Sequence, residues 1–517
     1  MDTNNISFPN LFIALIIIFG LSACGGGGGA EKSSGVIEPQ KRPFIFKVYL
    51  NQAADNPQHK YTFTPKPNSH YNIDCNSDGI VEASNQTSVY ICKYPAADPN
   101  GYKITISGAL SGFMHIPTDY VREQGHTTEP SNKEVKKLVI LQWGATKWID
   151  LSSAFAFINH PVIAATDLPN LSKTRSLSNM FNRSHLFNSD ISRWNVSKVT
   201  DMSFMFNRAW NFNQNIGNWD VSNATNMRYM FYDAFAFNQN ISNWNVSNVT
   251  DMQRTFANAN SFNQGIGNWN VANVTNMNSM FEGVTLFNQD IGNWNVSKVT
   301  DMSKMFASAR SFNQNISNWN VSKVTDMSKM FTSARAFNQY IGNWNVDHVT
   351  DMNSMFANAS SFNQNIGNWS VGQVSDMHRM FANACKFNQY LANWNVSNVT
   401  NMSAMFAGAS KFNQDIGNWN VRKTTDMSYM FSRSNLFNQD LGNWDISNVT
   451  NMTGMLTGVT LSAENYASLL VAWSTLNVKH NVAFNGGNSK YSAGSSAHAG
   501  RNILKSKGWR IIDGGAF

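Results

Sequence analysis

Asp74-Cys75-Asn76-Ser77-Asp78-Gly79 is spaced like the opening of a calcium loop, with oxygen ligands at alternate positions and a glycine sixth. Position 12 of such a loop must bring a bidentate carboxylate, but here it is Asn85. A tight turn pinned by Cys75 is the competing reading. Methionine offers another possible metal stripe: 22 of the 24 methionines fall in two columns, Met202 to Met452 and Met180 to Met455. Their regular spacing suits core packing by a flexible side chain, and no metal is expected there. The 10 histidines are scattered, and none pairs with an acid or cysteine at ligand spacing. Gly-x-Ser-x-Gly, phosphate-loop and His-Glu-x-x-His motifs are absent. The chain reads as a non-enzyme without a cofactor, with a hydrolase in residues 43–137 as the enzymatic alternative.

Cysteine chemistry says more. Cys75 and Cys92 lie in one short β-rich region and are expected to form a disulfide in an exported protein. Cys385 stands alone in a column that elsewhere holds Arg310, Ser360 or Ser410, and reads as a free thiol. Leu11 to Phe19 is an apolar run too short to span a bilayer comfortably. It is followed by Leu21-Ser22-Ala23-Cys24, which resembles a bacterial lipobox. That resemblance implies lipidation of Cys24 and removal of residues 1–24 as a signal peptide. The segment before the run carries Asp2 and no Lys or Arg, a departure from an export signal. Gly25 to Gly29 open a flexible tether over 25–42. Anchoring would be by this lipid only, since no other segment is long and apolar enough to cross a membrane.

The elements that must position these residues are repeats. From about residue 176 to 455 the sequence recurs every 25 residues without insertion, with tryptophans from Trp194 to Trp444 in step. In one copy, Trp394-Asn395-Val396 alternates like a strand. Thr400 is placed to cap a short helix, with Met402, Met405, Phe406 and Ala409 on one face at i, i+3, i+4 and i+7. Strand, turn and helix within 25 residues suit a leucine-rich-repeat-like solenoid, each unit burying its apolar face on its neighbours. Before it, residues 43–137 show short alternating strands and turn signals, a small β-sandwich. Residues 138–175 read as an N-terminal cap with a degenerate repeat at Leu151 to Phe155. Residues 456–517 read as an α/β C-terminal cap, with a helix after Ser462, a second helix from about Ala497 to Lys507 and a last strand at Trp509 to Ile512.

Candidate contact residues follow from the columns. Asn295, Asn320, Asn345, Asn395 and Asn420 follow the tryptophans and should face outward. They either contact a ligand or form an axial amide ladder that solvates the sheet. The position after Asn-Gln varies, holding Asp290, Asp415 and Asp440 and also Tyr340 and Tyr390, amphipathic groups suited to contact anchors. Drift at an exposed loop is the competing account.

The spacing Trp-x-Val-x-x-Val-Thr-x-Met-x-x-Met-Phe-x-x-Ala-x-x-Phe resembles the leucine-rich repeats of BspA-like bacterial surface proteins. It is more similar still to the 25-residue branch in mycoplasma-type surface lipoproteins. The resemblance covers residues 138–517 and includes Gln142-Trp143-Gly144, Ala165-Thr166-Asp167 and Asn485 to Tyr491. It implies a non-catalytic, lipid-anchored cell-surface protein, in the outer membrane if the source is Gram-negative, that binds an extracellular protein or glycan. The competing reading is a structural surface-layer or spacer lipoprotein without a specific ligand. Charged residues are 14% of 517, and the net charge of +7 is diluted over the whole chain without a dense basic run, so no nucleic-acid partner is expected.

Overall fold

The computed structural model describes residues 42–51, 59–115 and 135–517. Cys24, the expected signal peptide and the tether up to residue 41 lie outside the described residues. So does most of the polar stretch from Asp119; Val135 to Lys137 open a strand.

The N-terminal part carries nine strands: β1 (Phe44–Leu50), β2 (Lys60–Pro65), β3 (His70–Asp74), β4 (Ala83–Gln86), β5 (Tyr90–Lys93), β6 (Tyr102–Ala109), β7 (Phe113–Met114), β8 (Val135–Gln142) and β9 (His160–Ile163). One sheet has the order β4-β3-β6-β1-β8-β9 and a smaller one the order β5-β2-β7. Strict alternation in β1 buries Phe44, Phe46 and Val48 on one face. Rings from the two sheets meet there: Phe46 lies 5.6 Å from Tyr61 and 6.2 Å from Phe63, and Phe63 lies 5.2 Å from Tyr71. Strand β8 pairs antiparallel with β1 and parallel with β9. It spans residue 138, so one ladder joins the N-terminal sheet to the chain that leads into the repeats. Buried Trp143 continues that junction, 5.9 Å from Phe44 and 5.6 Å from Trp194 of the first full repeat.

The repeats form neither the expected strand nor the expected helix. Each rung contributes one isolated parallel bridge, running from Ser176 through Asp201, Asn226 and so on to Asn451. That bridge sits after the threonine, not at Trp-x-Val, where Trp394 N donates to Leu391 O and closes a turn. Thr400 caps no helix; its hydroxyl donates to Ser375 O one rung back.

The segment after it shows why no helix forms. Met402, Ala404, Phe406 and Gly408 donate their N–H groups to Asp426, Ser428, Met430 and Ser432 of the next rung. Between them, Met405, Ala407 and Ala409 close turns on Met402, Ala404 and Phe406. An α-helix would return every N–H to its own i−4 carbonyl. Here every second one leaves the rung, because Ala404 (φ 52°) and Gly408 (φ 70°) are left-handed. Two successive four-residue turns still point Met402, Met405, Phe406 and Ala409 inward, and all are fully buried. The i, i+3, i+4, i+7 pattern is thus common to both geometries, and bonding between neighbours selects the turns.

The far end holds α1 (Ala463–Thr475), β10 (Ala483–Asn485), α2 (Ser496–Ser506) and β11 (Arg510–Ile512). Ser462 Oγ accepts from Asn465 N and caps α1, whose Tyr466, Leu469, Leu470 and Trp473 are buried. Strand β10 pairs parallel with β11, and Leu456 N donates to Asn485 O, so β10 stands where a further rung would be. The described residues thus form repeated units with mostly extended or turn backbone and two helices, neither long and apolar enough to cross a membrane.

Candidate functional site

Three side-chain ladders fix the rungs before any surface is considered. In each rung the asparagine after the second core phenylalanine accepts two bonds from the next rung. Asn313 Oδ1 takes Asn338 N at 2.9 Å and Gln339 Nε2 at 3.1 Å. From Trp219 to Trp444 each buried indole donates back along the axis, as Trp344 Nε1 does to Ile316 O at 3.2 Å. Threonine hydroxyls form the third ladder, as from Thr350 to Thr325 O. The C-terminal cap copies the first two. Ser462 N and Asn465 Nδ2 donate to Asn438 Oδ1, and Trp473 Nε1 donates to Leu441 O.

The asparagines singled out from sequence do something else. Asn295, Asn320, Asn345, Asn395 and Asn420 are exposed. Each Oδ1 accepts the backbone N–H two residues on, from Ser297, Ser322, Asp347, Ser397 and Arg422. They are local turn caps, not the axial ladder expected of them, because the ladder needs amides that point along the axis. The axial ladder belongs to the Asn188-to-Asn438 column. The ladder column is Asn in every rung, whereas the cap column admits Asp220, Ser370 and Asp445; that difference is legible in the sequence, but not which column runs along the axis.

Asp290, Asp415 and Asp440 are turn caps as well, accepting from Gly292, Gly417 and Gly442. In that column Tyr340 and Tyr390 replace the cap and stand 48% and 50% exposed, two rungs apart. The Tyr340 ring lies against Gly342, where an added Cβ would come within 2.8 Å of it. Cys75 and Cys92 are joined as a disulfide with 5.7 Å between Cα atoms, tying the end of β3 to β5. Cys385 is a free, exposed thiol. The calcium-like stretch is closed on itself. Asp74 accepts from Asn76 N and Gly79 N, Asn76 from Asp78 N, and Asp78 from Ile80 N. Among the described residues no three His, Cys, Asp or Glu side chains converge as a metal site.

One edge escaped the sequence reading. The turn segments of consecutive rungs, residues 203–211, 228–236 and 253–261, carry an aromatic and arginine cluster. Phe204 and Tyr229 stack at 4.6 Å, and Tyr229 lies 5.5 Å from Tyr232. The Arg228 guanidinium sits 5.1 Å over Phe204, and that of Arg254 sits 5.5 Å over Tyr229 and 5.9 Å over Tyr232. Further along the same segments Trp210 stacks between His185 at 3.9 Å and Phe235 at 6.0 Å. Trp210 and Phe235 are 42% and 39% exposed. The available signal was that these two outward columns change residue type from rung to rung while the inward ones do not.

Three of the acidic turn caps share one electrostatic feature. Asp190, Asp220 and Asp445 each hold the hydroxyl and N–H of the serine two residues on, and these bonds keep their carboxyls below the ordinary 3.8. Neither these caps nor the ladders between them gather groups of different chemistry at one point. No curated protein matches the chain. The 25-residue unit itself is what places the protein. Residues 149–267, 250–369, 313–397 and 357–473 each match the family described as "Mycoplasma protein of unknown function", and as these matches together cover more than half of the chain, it belongs to that family, DUF285.

Proposed function

We propose that this protein is a lipid-anchored bacterial surface protein that binds an extracellular protein or glycan without catalysis, in adhesion to a host or neighbouring cell. The repeat region is read as a leucine-rich-repeat-like solenoid of the BspA-like kind, with paired turns in place of the short helix, carried by a small β-sandwich and closed by the C-terminal cap. Anchoring is assigned to Cys24, which places the molecule at the cell surface. The observation that carries the reading is the contrast between a nearly uniform core and varied outward positions. Met, Phe, Trp and Ala columns repeat rung after rung, while the outward columns hold Tyr340 and Tyr390 on one loop and Trp210, Phe235, Tyr229 and Arg254 on the turn edge. Large aromatics and arginine left at a surface are the residue types that dominate binding energy.

The test is binding of the purified protein to an array of matrix proteins and glycans, beside a Tyr340→Ala/Tyr390→Ala variant. Saturable binding is expected; its loss in the variant would place the contact on the Asn-Gln loop edge, and its retention would place it elsewhere. No saturable binding would sink the adhesion reading in favour of a structural spacer. The uniformity of the Asn turn caps favours that second reading. Removal of residues 300–349, two whole rungs, separates them: a spacer tolerates it, whereas a defined site within or across those rungs loses binding.

A further inference from the structure

We propose that the Arg228–Arg254 pair on the Phe204–Tyr229–Tyr232 ladder is the contact site for an acidic, extended segment of a partner protein. The inference rests on the adhesion reading above and names its site and partner class. Both arginines belong to consecutive turn segments, and their guanidiniums lie 5.1 and 5.5 Å over rings that are themselves stacked at 4.6 Å. Among the described residues neither forms an ion pair with a carboxylate, and with Arg254 Nε buried it is the Nη groups of that side chain that a partner can reach. A guanidinium resting over a ring is held in place without using its N–H groups, which stay available to a carboxylate.

Three acids of this edge are already engaged, and Glu282, whose charge also reaches Tyr232, forms no ion pair with either arginine. Asp233 pairs with Arg208 at 3.4 Å, and Asp201 and Asp251 cap the turns at Ser203 and Gln253. The two guanidiniums therefore remain as local positive charge in a chain whose net charge is only +7. Two such groups about one rung apart, roughly 5 Å, suit carboxylates offered in sequence along an extended chain.

The rings decide between protein and glycan. A pyranose packs its C–H face flat on an open aromatic face. Here Phe204 is covered by Tyr229 and Arg228, Tyr229 by Phe204 and Arg254, and Trp210 by His185 and Phe235. The faces engaged in these stacks are closed to a sugar, and the exposed remainder of the rings suits apolar side chains flanking the acids.

Poly-L-glutamate binding to the full chain, at about 150 mM salt where diffuse attraction is screened, tests the site. Hyaluronate, a carboxylated glycan, is measured in parallel. An Arg228→Gln/Arg254→Gln variant is expected to weaken poly-glutamate binding about tenfold or more. Arg310→Gln/Arg335→Gln, with the same charge loss three rungs further along the same edge, should change it by less than about twofold. Equal losses in both variants would show attraction to net charge alone and overturn the site. No poly-glutamate binding by the unaltered chain would also overturn it. Hyaluronate binding that depends on Arg228 and Arg254 while poly-glutamate fails would overturn the partner class. Should the glutamine variant unfold, Arg228→Lys/Arg254→Lys keeps the charge but loses the planar fork, and retention of full poly-glutamate binding by it overturns the geometry argued here. Array binding that survives the glutamine variant would keep adhesion and sink only this site.

Discussion

Asparagine does two jobs in this chain, and the difference lies in where one oxygen points. Asn313 Oδ1 holds two groups of the next rung, whereas Asn320 Oδ1 holds the N–H of Ser322 in its own exposed turn. Asn313→Ala leaves a partly buried N–H and an amide without partners, so it should cost about 1–3 kcal/mol; Asn320→Ala should cost about 0.5–1 kcal/mol, because water replaces the cap. Urea unfolding of the two variants measures the contrast, and equal costs would refute the ladder's role. Acid sensitivity also sits at this scale. The lowered carboxyls of Asp190, Asp220 and Asp445 contribute stability that is present above the ordinary 3.8 and lost as pH falls through their lower folded values. Asn at the three positions keeps the cap but cannot be protonated there. The acid-unfolding midpoint should therefore move to lower pH, followed by tryptophan fluorescence.

At the scale of the element, the paired turn is specified by backbone conformation more than by side chains. Lys329 (φ 58°) and Ser333 (φ 59°) hold left-handed backbone that glycine takes without strain. Lys329→Gly should raise stability by about 0.5–1 kcal/mol, since relief of the left-handed strain outweighs the added freedom of the unfolded chain. A thermal midpoint that falls would argue that the Lys329 side chain matters more than its backbone. The β region depends on a covalent tie. Cys75 and Cys92 close a 17-residue separation between the end of β3 and β5. Cys75→Ala/Cys92→Ala should destabilise this region by about 3 kcal/mol. Limited proteolysis should then cut residues 59–115 first and leave the repeats intact.

At the scale of the whole molecule, the repeats are joined rung to rung by hydrogen bonds, so register matters more than length. Removal of residues 300–349 joins Val299 to Thr350 and keeps every column in step. That chain should fold cooperatively, with a denaturant slope reduced in proportion to the surface lost. Removal of forty residues from the same place misaligns the Trp, Phe and Asn columns and should yield aggregated protein by size-exclusion chromatography. The Phe columns show why: Phe331 lies 5.7 Å from Phe306 and 5.7 Å from Phe356, so an offset rung would leave rings facing polar positions.

The sequence by itself determined the period, the inward residues, the disulfide partners and the helices that close the far end. These are set by local spacing and apolar pattern, which read the same before and after folding: Met402, Met405, Phe406 and Ala409 are buried as their spacing demands. Only the tertiary structure decided that this segment is a pair of turns, that Asn313 rather than Asn320 runs the amide ladder, that β8 belongs to the N-terminal sheet, and that Arg228 and Arg254 rest on a ring ladder. The physical reason is common to all four. Each depends on which group of a neighbouring rung or strand accepts a bond or offers a ring face, and that neighbour stands about 25 residues or more away in the chain. A single repeat contains one partner of each such bond; only its neighbour supplies the other.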